Sequence, residues 1–158
     1  MIEYYQANST LYFLVHFFPL PYHHNSYLGN QAVKIISKYY AKNTKQQIAA
    51  IYSWIDVVFA NQPAFYNEAT ANNTNIEIIQ NFATLAEKAV GVPTSFYVTE
   101  MEDYMTDSSL RVDFKYGISR GVYGTPSFYL NGVFVNVQGT NTFEQWRALI
   151  DPLVPDSN

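Results

Sequence analysis

Apolar side chains recur at helical spacing along much of the chain. One stripe starts near Asn25 or Ser26, and a second starts at Asn43 or Thr44. Positions i, i+3, i+4 and i+7 share one face of a helix, so each stripe predicts an amphipathic helix. Because only a short polar turn separates the two helices, we expect them to pack as an antiparallel pair. The predicted inward faces are Ala32, Ile35, Ile36, Tyr39 and Tyr40 in the first helix, and Ile48, Ile51, Tyr52, Ile55 and Phe59 in the second.

A third helix is marked by its start and stop signals. Residues 60–73 read as a loop, after which Thr74 and Glu77 have the spacing of a capping box. The helix is expected to end at Gly91, because glycine accepts a left-handed backbone and Pro93 follows shortly. The predicted inward side chains are Ile78, Phe82, Leu85, Ala86 and Ala89.

The pattern after Gly91 predicts two further helices and leaves one segment ambiguous. Residues 92–106 show no clear period, although a short helix over residues 98–104 fits. The next helix is expected to start at an Asp107 or Ser108 cap and to run to Gly121, and the last to open at a second capping box, Thr142 with Gln145. Their predicted inward residues are Leu110, Phe114 and Ile118, then Phe143, Trp146, Leu149 and Ile150.

Near the start of the chain, residues 11–18 form a nearly continuous apolar run rich in aromatic side chains. Such a run predicts a strand that is covered on both faces, as in an α/β sheet. It follows Glu3 with no Lys or Arg before it and leads into Pro19 and Pro21, which favours a strand over the core of a signal peptide. No apolar run is long enough to span a membrane.

The clearest local prediction is a β-hairpin. Residues 127–130 and 133–137 are rich in apolar and aromatic side chains, and Asn131 and Gly132 lie between them. Asn-Gly tolerates the positive φ angles of a type I′ turn, so the register of this hairpin is well specified.

Composition sets the size of the domain and excludes some classes of function. The 158 residues, 48% of them hydrophobic, predict one domain over residues 1–158 with a sizeable core. The formal net charge of −4 provides no basic patch, so nucleic-acid binding is disfavoured. The chain contains no cysteine, which excludes thiol nucleophiles, disulfides and thiolate metal sites, and says nothing about compartment.

Two segments carry a resemblance to a known family. Residues 15–23 are similar to the strand and turn that follow the first helix of DsbA-like members of the thioredoxin superfamily, and residues 121–132 are similar to the cis-proline loop of that family. Phe143, Trp146 and Asp151 fit a C-terminal pattern of uncharacterised eukaryotic thioredoxin-like proteins. The resemblance implies an α/β thioredoxin-like fold with a helical insertion at about residues 24–106.

The chain also departs from that family. The family begins with a central strand and a cysteine turn at the start of its first helix, whereas residues 1–7 look like the last turns of that helix. The N-terminal strand and the start of the helix are therefore expected to be missing. Two hypotheses follow: a redox-inactive form, because thiol–disulfide exchange needs a thiolate, or the truncated remainder of an oxidoreductase whose cysteine lies upstream of Met1. A third hypothesis is a homodimer through the open sheet edge.

The resemblance also implies a site. In the family the peptide bond before the loop proline is cis, and the preceding residue presents its backbone to an extended substrate peptide. We therefore expect Tyr123, Gly124, Thr125 and Pro126 to form a groove that binds extended or unfolded peptides. The alternative is that Pro126 merely shapes the turn.

Other patterns suggest little chemistry. His16, His23 and His24 lack the spacing of a metal site, so no metal or cofactor is expected. No catalytic residue is assigned, because Ser127 lacks a nucleophile-elbow motif and the acidic residues are spread along a solvated face.

Two acceptor patterns for N-glycosylation begin at Asn8 and Asn72. In an Asn-rich chain such matches arise by chance, and Thr74 is better explained as a helix cap. They matter only in the secretory pathway, which the resemblance implies for some members, whereas the sequence itself indicates no compartment.

Overall fold

The computed structural model of the protein describes residues 11–137 and 142–154. Within these residues the secondary structure is mainly helical with one two-stranded antiparallel sheet, so the chain combines α and β structure. Short 3-10 helices, Gln62–Phe65 and Asp151–Leu153, follow the second and the last α-helix. The α-helices are α1 (Ser26–Tyr39), α2 (Thr44–Asn61), α3 (Asn75–Val90), α4 (Thr94–Met101), α5 (Tyr104–Ser119) and α6 (Phe143–Ile150), and the strands are β1 (Phe128–Leu130) and β2 (Val133–Val135).

Tertiary contacts divide the chain into two compact units. The helical unit comprises residues 17–121 and contains α1–α5, and the hairpin unit comprises the described residues of 1–16 and 122–158 and contains β1, β2 and α6. The predicted helical insertion over residues 24–106 falls within the helical unit. The prediction of a single domain over residues 1–158 stays a prediction.

Helix α1 is the central element of the helical unit, because it packs against α2, α3, α4 and α5. Its buried residues lie on more than one side of the helix, as a surrounded helix requires. The buried Gln31 amide is satisfied, since its Nε2 donates to the Met101 carbonyl at 3.0 Å. The predicted packing of the first two helices against each other is confirmed. The buried residues of α1 are Gln31, Ala32, Val33, Ile35 and Ile36.

The predicted inward face of α2 is wrong for three of its five residues, although Ile51 does pack against the buried core. Trp54 and Ala50 are the buried residues of this helix, whereas Ile48, Tyr52 and Phe59 are exposed. Trp54 is only 1% exposed, and its Nε1 donates to the Gly29 carbonyl of α1 at 3.3 Å. Burying the large indole ring removes more apolar area from water than burying a single isoleucine, so Trp54 decides the rotation of the helix. Helix α2 consequently carries apolar side chains on two opposite faces.

Caps fix the ends of α3 as predicted. The Thr74 hydroxyl accepts from the Glu77 N–H, and the Glu77 carboxylate accepts from the Thr74 N–H at 2.7 Å, which completes a capping box. At the other end Gly91 has a left-handed φ of 71°, where a Cβ would be strained. The third helix is therefore confirmed at both ends.

The predicted start of α5 is corrected by four residues. Asp103, not Asp107, is the N-cap, because its Oδ1 accepts from the Thr106 N–H at 2.8 Å. The ambiguous segment before it contains α4, which begins directly after Pro93 rather than near Val98. Tyr97 of α4 is completely buried.

The predicted strand over residues 11–18 is not observed. These residues form neither strand nor helix, and Tyr12 and Leu14 are each 87% exposed. A strand needs neighbouring strands to satisfy its backbone groups, and the one described sheet contains only β1 and β2. The predicted helix at residues 1–7 lies outside the described residues.

The predicted hairpin is confirmed. Strands β1 and β2 pair with Phe128 opposite Val135, and Leu130 opposite Val133. Asn131 and Gly132 have φ angles of 49° and 80°, the two positive values of a type I′ turn. The last helix, α6, opens at the predicted Thr142 capping box.

Candidate peptide-binding loop

Gly121 ends the helix that precedes the candidate loop. Its φ is 80°, and its N–H donates to the Ile118 carbonyl at 2.9 Å, so the chain leaves the helical direction there. The helix thus stops beside Gly121, where the sequence predicts its end.

The loop itself comprises residues 122–127 of the hairpin unit. The peptide bond between Thr125 and Pro126 is cis, as the family resemblance implies. The Ser127 hydroxyl donates to the Gly124 carbonyl at 2.6 Å and closes the turn across the proline. Thr125 and Pro126 are exposed, and Tyr123 is 88% exposed, so the outer surface of the loop is open to solvent.

Thr125 has unused backbone hydrogen-bonding capacity. Neither its N–H nor its C=O forms a hydrogen bond with any residue in the described ranges 11–137 and 142–154. A backbone N–H and C=O that project from an exposed loop are the groups with which an extended peptide pairs.

Gly124 differs from Gly121 in what its backbone requires. Its φ is not in the left-handed region, and a Cβ built on it meets no atom within 4 Å. The backbone conformation at Gly124 therefore does not depend on the conformational freedom of glycine. The space above Gly124 is open, and a side chain placed there would project into it.

Aromatic contacts hold the hairpin that follows the loop. The Phe128 ring packs edge-on against Trp146 of α6 with centroids 4.8 Å apart, and the Tyr129 ring packs edge-on against Phe134 across the strands at 5.6 Å. Ile150 of α6 is buried. These contacts fix the backbone immediately after Pro126, so the C-terminal end of the exposed loop is held in place.

Several displaced pKa values in the helical unit arise where helices meet. Lys38 of α1 donates to Glu100 of α4 at 2.6 Å, and this hydrogen bond raises the pKa of Lys38. The Thr106 hydroxyl donates to both Glu100 and Asp103, while the Thr106 N–H lowers the pKa of Asp103. These groups hold three helices together and are explained by that structural role.

A second junction joins α1 to α5. The Tyr27 hydroxyl donates to Asp107 Oδ1 at 2.7 Å, and burial together with this bond raises the pKa of Tyr27 to about 12. Arg111 Nε donates to Asp107 Oδ2 at 2.6 Å, which is the main reason that the pKa of Asp107 lies below its usual range. Asp107 is thus a partner between helices, where the sequence had suggested a cap.

The structure places His23, His24 and Asn72 at exposed positions. The His23 N–H donates to the Leu20 carbonyl and the His24 N–H to Asn67, which shapes the turn before α1. No three metal-ligating side chains come together in the described part of the chain. Asn72 is exposed, but Thr74 serves as the helix cap, and Asn8 lies outside the described residues.

Two surface features of the helical unit were missed by the sequence pattern. A shallow cavity of about 200 Å³ between the end of α2 and α3 is lined by residues that include Phe65, Leu85 and Lys88. The second is the exposed apolar face of α2. The i, i+4 pair Ala50 and Trp54 could have identified the buried face of that helix.

Among the described residues, no helix has both the length and the apolar character needed to cross a membrane.

Comparisons of the chain with family models, with curated proteins and with solved structures found no match.

Proposed function

We propose that this chain is a peptide-binding protein that holds an extended segment of a partner along the loop formed by Tyr123, Gly124, Thr125 and Pro126. The chain contains no cysteine and so supplies no thiolate for thiol–disulfide exchange. Binding, without redox chemistry by the chain itself, is therefore the activity that we assign to the loop.

The observation that carries the proposal is the unpaired backbone of Thr125. In β-strand addition, main-chain hydrogen bonds supply affinity, and the neighbouring side chains supply selectivity. The exposed Tyr123 ring adds an amphipathic contact surface beside this backbone. Because tyrosine has only two side-chain torsions, ordering the ring on binding costs little conformational entropy. Because Gly124 has no side chain, a peptide backbone can approach the loop closely.

The proposed fold is thioredoxin-like of the DsbA type. Its support is the order of elements from α5 through the proline loop and the β-hairpin to α6, together with the helices that occupy the expected insertion. The irregular backbone of residues 11–18 counts against it, because the family places a strand there.

Binding of a fluorescein-labelled peptide of about ten residues, long enough to form one strand, tests the function by fluorescence anisotropy. The decisive variant is Gly124→Val, whose Cβ enters the open space over the loop with no atom within 4 Å. We expect its thermal melt to be unchanged and its Kd to rise at least about tenfold, or about 1.4 kcal/mol.

Two tyrosines provide a matched comparison for the side-chain contact. Tyr123→Ala removes a ring that is 88% exposed beside the loop, and Tyr104→Ala removes a ring that is 75% exposed at the start of α5. Only Tyr123→Ala should weaken peptide binding. Equal binding by the unaltered chain, Gly124→Val and Tyr123→Ala would exclude this loop as the site.

A further inference from the structure

The outward face of α2 is apolar although it covers no core. Ile48, Tyr52 and Phe59 are 50%, 39% and 66% exposed. Ile48 and Tyr52 are one helical turn apart, and Tyr52 and Phe59 are two turns apart. At about 100° per residue they fall within one sector, which is opposite to the sector that holds Ala50 and Trp54. An apolar stripe on the solvent side of a helix marks a contact surface.

The two charges of α2 lie beside this stripe. Lys45 and Asp56 are the only charged residues among its 18 positions. They are separated by eleven residues, about three helical turns, so they share one side of the helix about 16 Å apart. Neither forms an ion pair with a residue that the structure describes.

Lys45 is unfavourably placed for its own helix. It is in the first turn, where the positive end of the helix dipole repels a cation, whereas Asp56 lies more than one turn before the helix end, where the dipole has little effect. An antiparallel helix with the same sequence would supply Lys45 with an anion, because Asp56 of one copy would lie beside Lys45 of the other at both ends.

We propose that the exposed face of α2 binds the same face of a second copy of this chain, with the two helices antiparallel. A two-fold axis midway between Lys45 and Asp56 makes two equivalent ion pairs. The same axis sets Tyr52 of each copy at the height of Ile48 and the small, exposed Ala49 of the other. Tyr52, Ile48 and Ala49 thus fill the centre and the ion pairs flank them, whereas Phe59 lies beyond the ion pairs, level with Lys42 just before the helix of the other copy.

The charge pattern selects this occupant over others. A two-fold interface must be self-complementary, and an antiparallel copy would place the one cation of α2 against its one anion at two symmetric positions. The predicted dimer through an open sheet edge uses a different surface and does not account for the apolar stripe. Because few side chains take part, we expect weak association.

Sedimentation equilibrium of the full chain, at concentrations up to about 1 mM, tests the proposal through a charge exchange. Lys45→Glu and Asp56→Lys each place like charges together twice, and each should raise the dimer Kd about tenfold or more. The double variant restores two opposite-charge pairs and should recover a Kd close to that of the unaltered chain. A monomer at every concentration, or additive weakening in the double variant, would overturn the proposal.

Substitutions at two isoleucines distinguish specific association through this face from non-specific association of exposed apolar side chains. Ile48→Glu places a charge in the apolar contact, whereas Ile76→Glu makes the same change at a 79% exposed position of α3. Ile48→Glu should abolish the dimer while its helical circular dichroism is retained, and Ile76→Glu should leave the Kd unchanged. If both variants, or neither, abolish association, the α2 face is not the interface.

Discussion

The helical unit and the hairpin unit use their hydrophobic side chains in different ways. The helical unit completely buries Trp54, Tyr97 and Phe82 among five helices. Among the described residues of the hairpin unit, Ile150 is the one buried hydrophobic residue, and Val133 and Phe134 of β2 are 68% and 50% exposed. The difference indicates that packing stability is concentrated in the helical unit, while the hairpin unit presents exposed backbone and aromatic surface for contact.

The largest expected effect is the loss of a core ring in the helical unit. Phe82 is 2% exposed, and its ring stacks on Phe65 with centroids 3.9 Å apart. Phe82→Ala should lower the free energy of unfolding by about 3–5 kcal/mol, whereas Phe134→Ala in β2 should lower it by less than about 1 kcal/mol. Urea denaturation measures both, and equal losses would contradict the comparison.

The next effect concerns a buried hydroxyl in the core. Tyr97 Oη is buried with no hydrogen-bond partner among the described residues, and burial raises the pKa of this hydroxyl. Tyr97→Phe should therefore raise the free energy of unfolding by about 1 kcal/mol. The control is Tyr40→Phe, which should lower it by about 1 kcal/mol because the Tyr40 hydroxyl donates to the Val90 carbonyl. A loss in Tyr97→Phe would show that the hydroxyl has a partner.

Capping boxes allow the same substitution to be made in each unit. Thr74→Ala in the helical unit and Thr142→Ala in the hairpin unit should each cost their helix about 1 kcal/mol. The two variants should differ in which amides lose hydrogen-exchange protection: those of α3 for Thr74→Ala and those of α6 for Thr142→Ala. Loss of protection throughout both units in either variant would show that they unfold as one.

The smallest effect is a difference in pH dependence. The pKa of Asp107 is lowered, chiefly by its hydrogen bond from Arg111, and the pKa of Glu144 is lowered at the start of α6. A lowered pKa contributes stability above the ordinary carboxyl pKa of about 4, and this stability is lost as pH falls through the folded-state pKa. The difference in free energy of unfolding between the unaltered chain and Asp107→Asn should therefore become smaller as the pH falls from 7 to about 2.

Glu144→Gln is the matched variant in the hairpin unit. Glu144 is exposed, so solvent screening should make the corresponding difference smaller than that of Asp107→Asn. The midpoints of urea denaturation, measured for each variant at both pH values, test whether the Asp107→Asn difference is the larger one. A difference that grows on acidification would contradict the sign of the assigned pKa shifts.

Local signals in the sequence were enough to predict most elements. Thr74 with Glu77, Gly91, and Asn131 with Gly132 act through their own backbone neighbours, so their helix ends and their turn could be predicted. Asp103 and Asp107 are equally suitable cap residues four positions apart, and only the contacts of Asp107 with Tyr27 and Arg111 distinguish them.

Tertiary context decided the features that were predicted wrongly. Residues 11–18 have strand composition, but composition does not supply neighbouring strands. Helix α2 has two apolar faces, and the sequence period alone could not show that Trp54 would be buried in place of Ile48 and Tyr52. The loop at Pro126 could be located from its residues and from the family resemblance. The exposure of Tyr123 and the free backbone of Thr125 could not, because both depend on the folded surroundings.

The central claim is that Thr125 presents its backbone to an extended peptide. Its most direct test is the chemical shift of the Thr125 amide in the ¹⁵N-labelled chain during titration with an unlabelled peptide. We expect this amide and that of Tyr123 to shift in a saturable manner, while the Glu77 amide, held by the Thr74 hydroxyl, stays unchanged. A Thr125 amide that does not move at saturating peptide would contradict the claim.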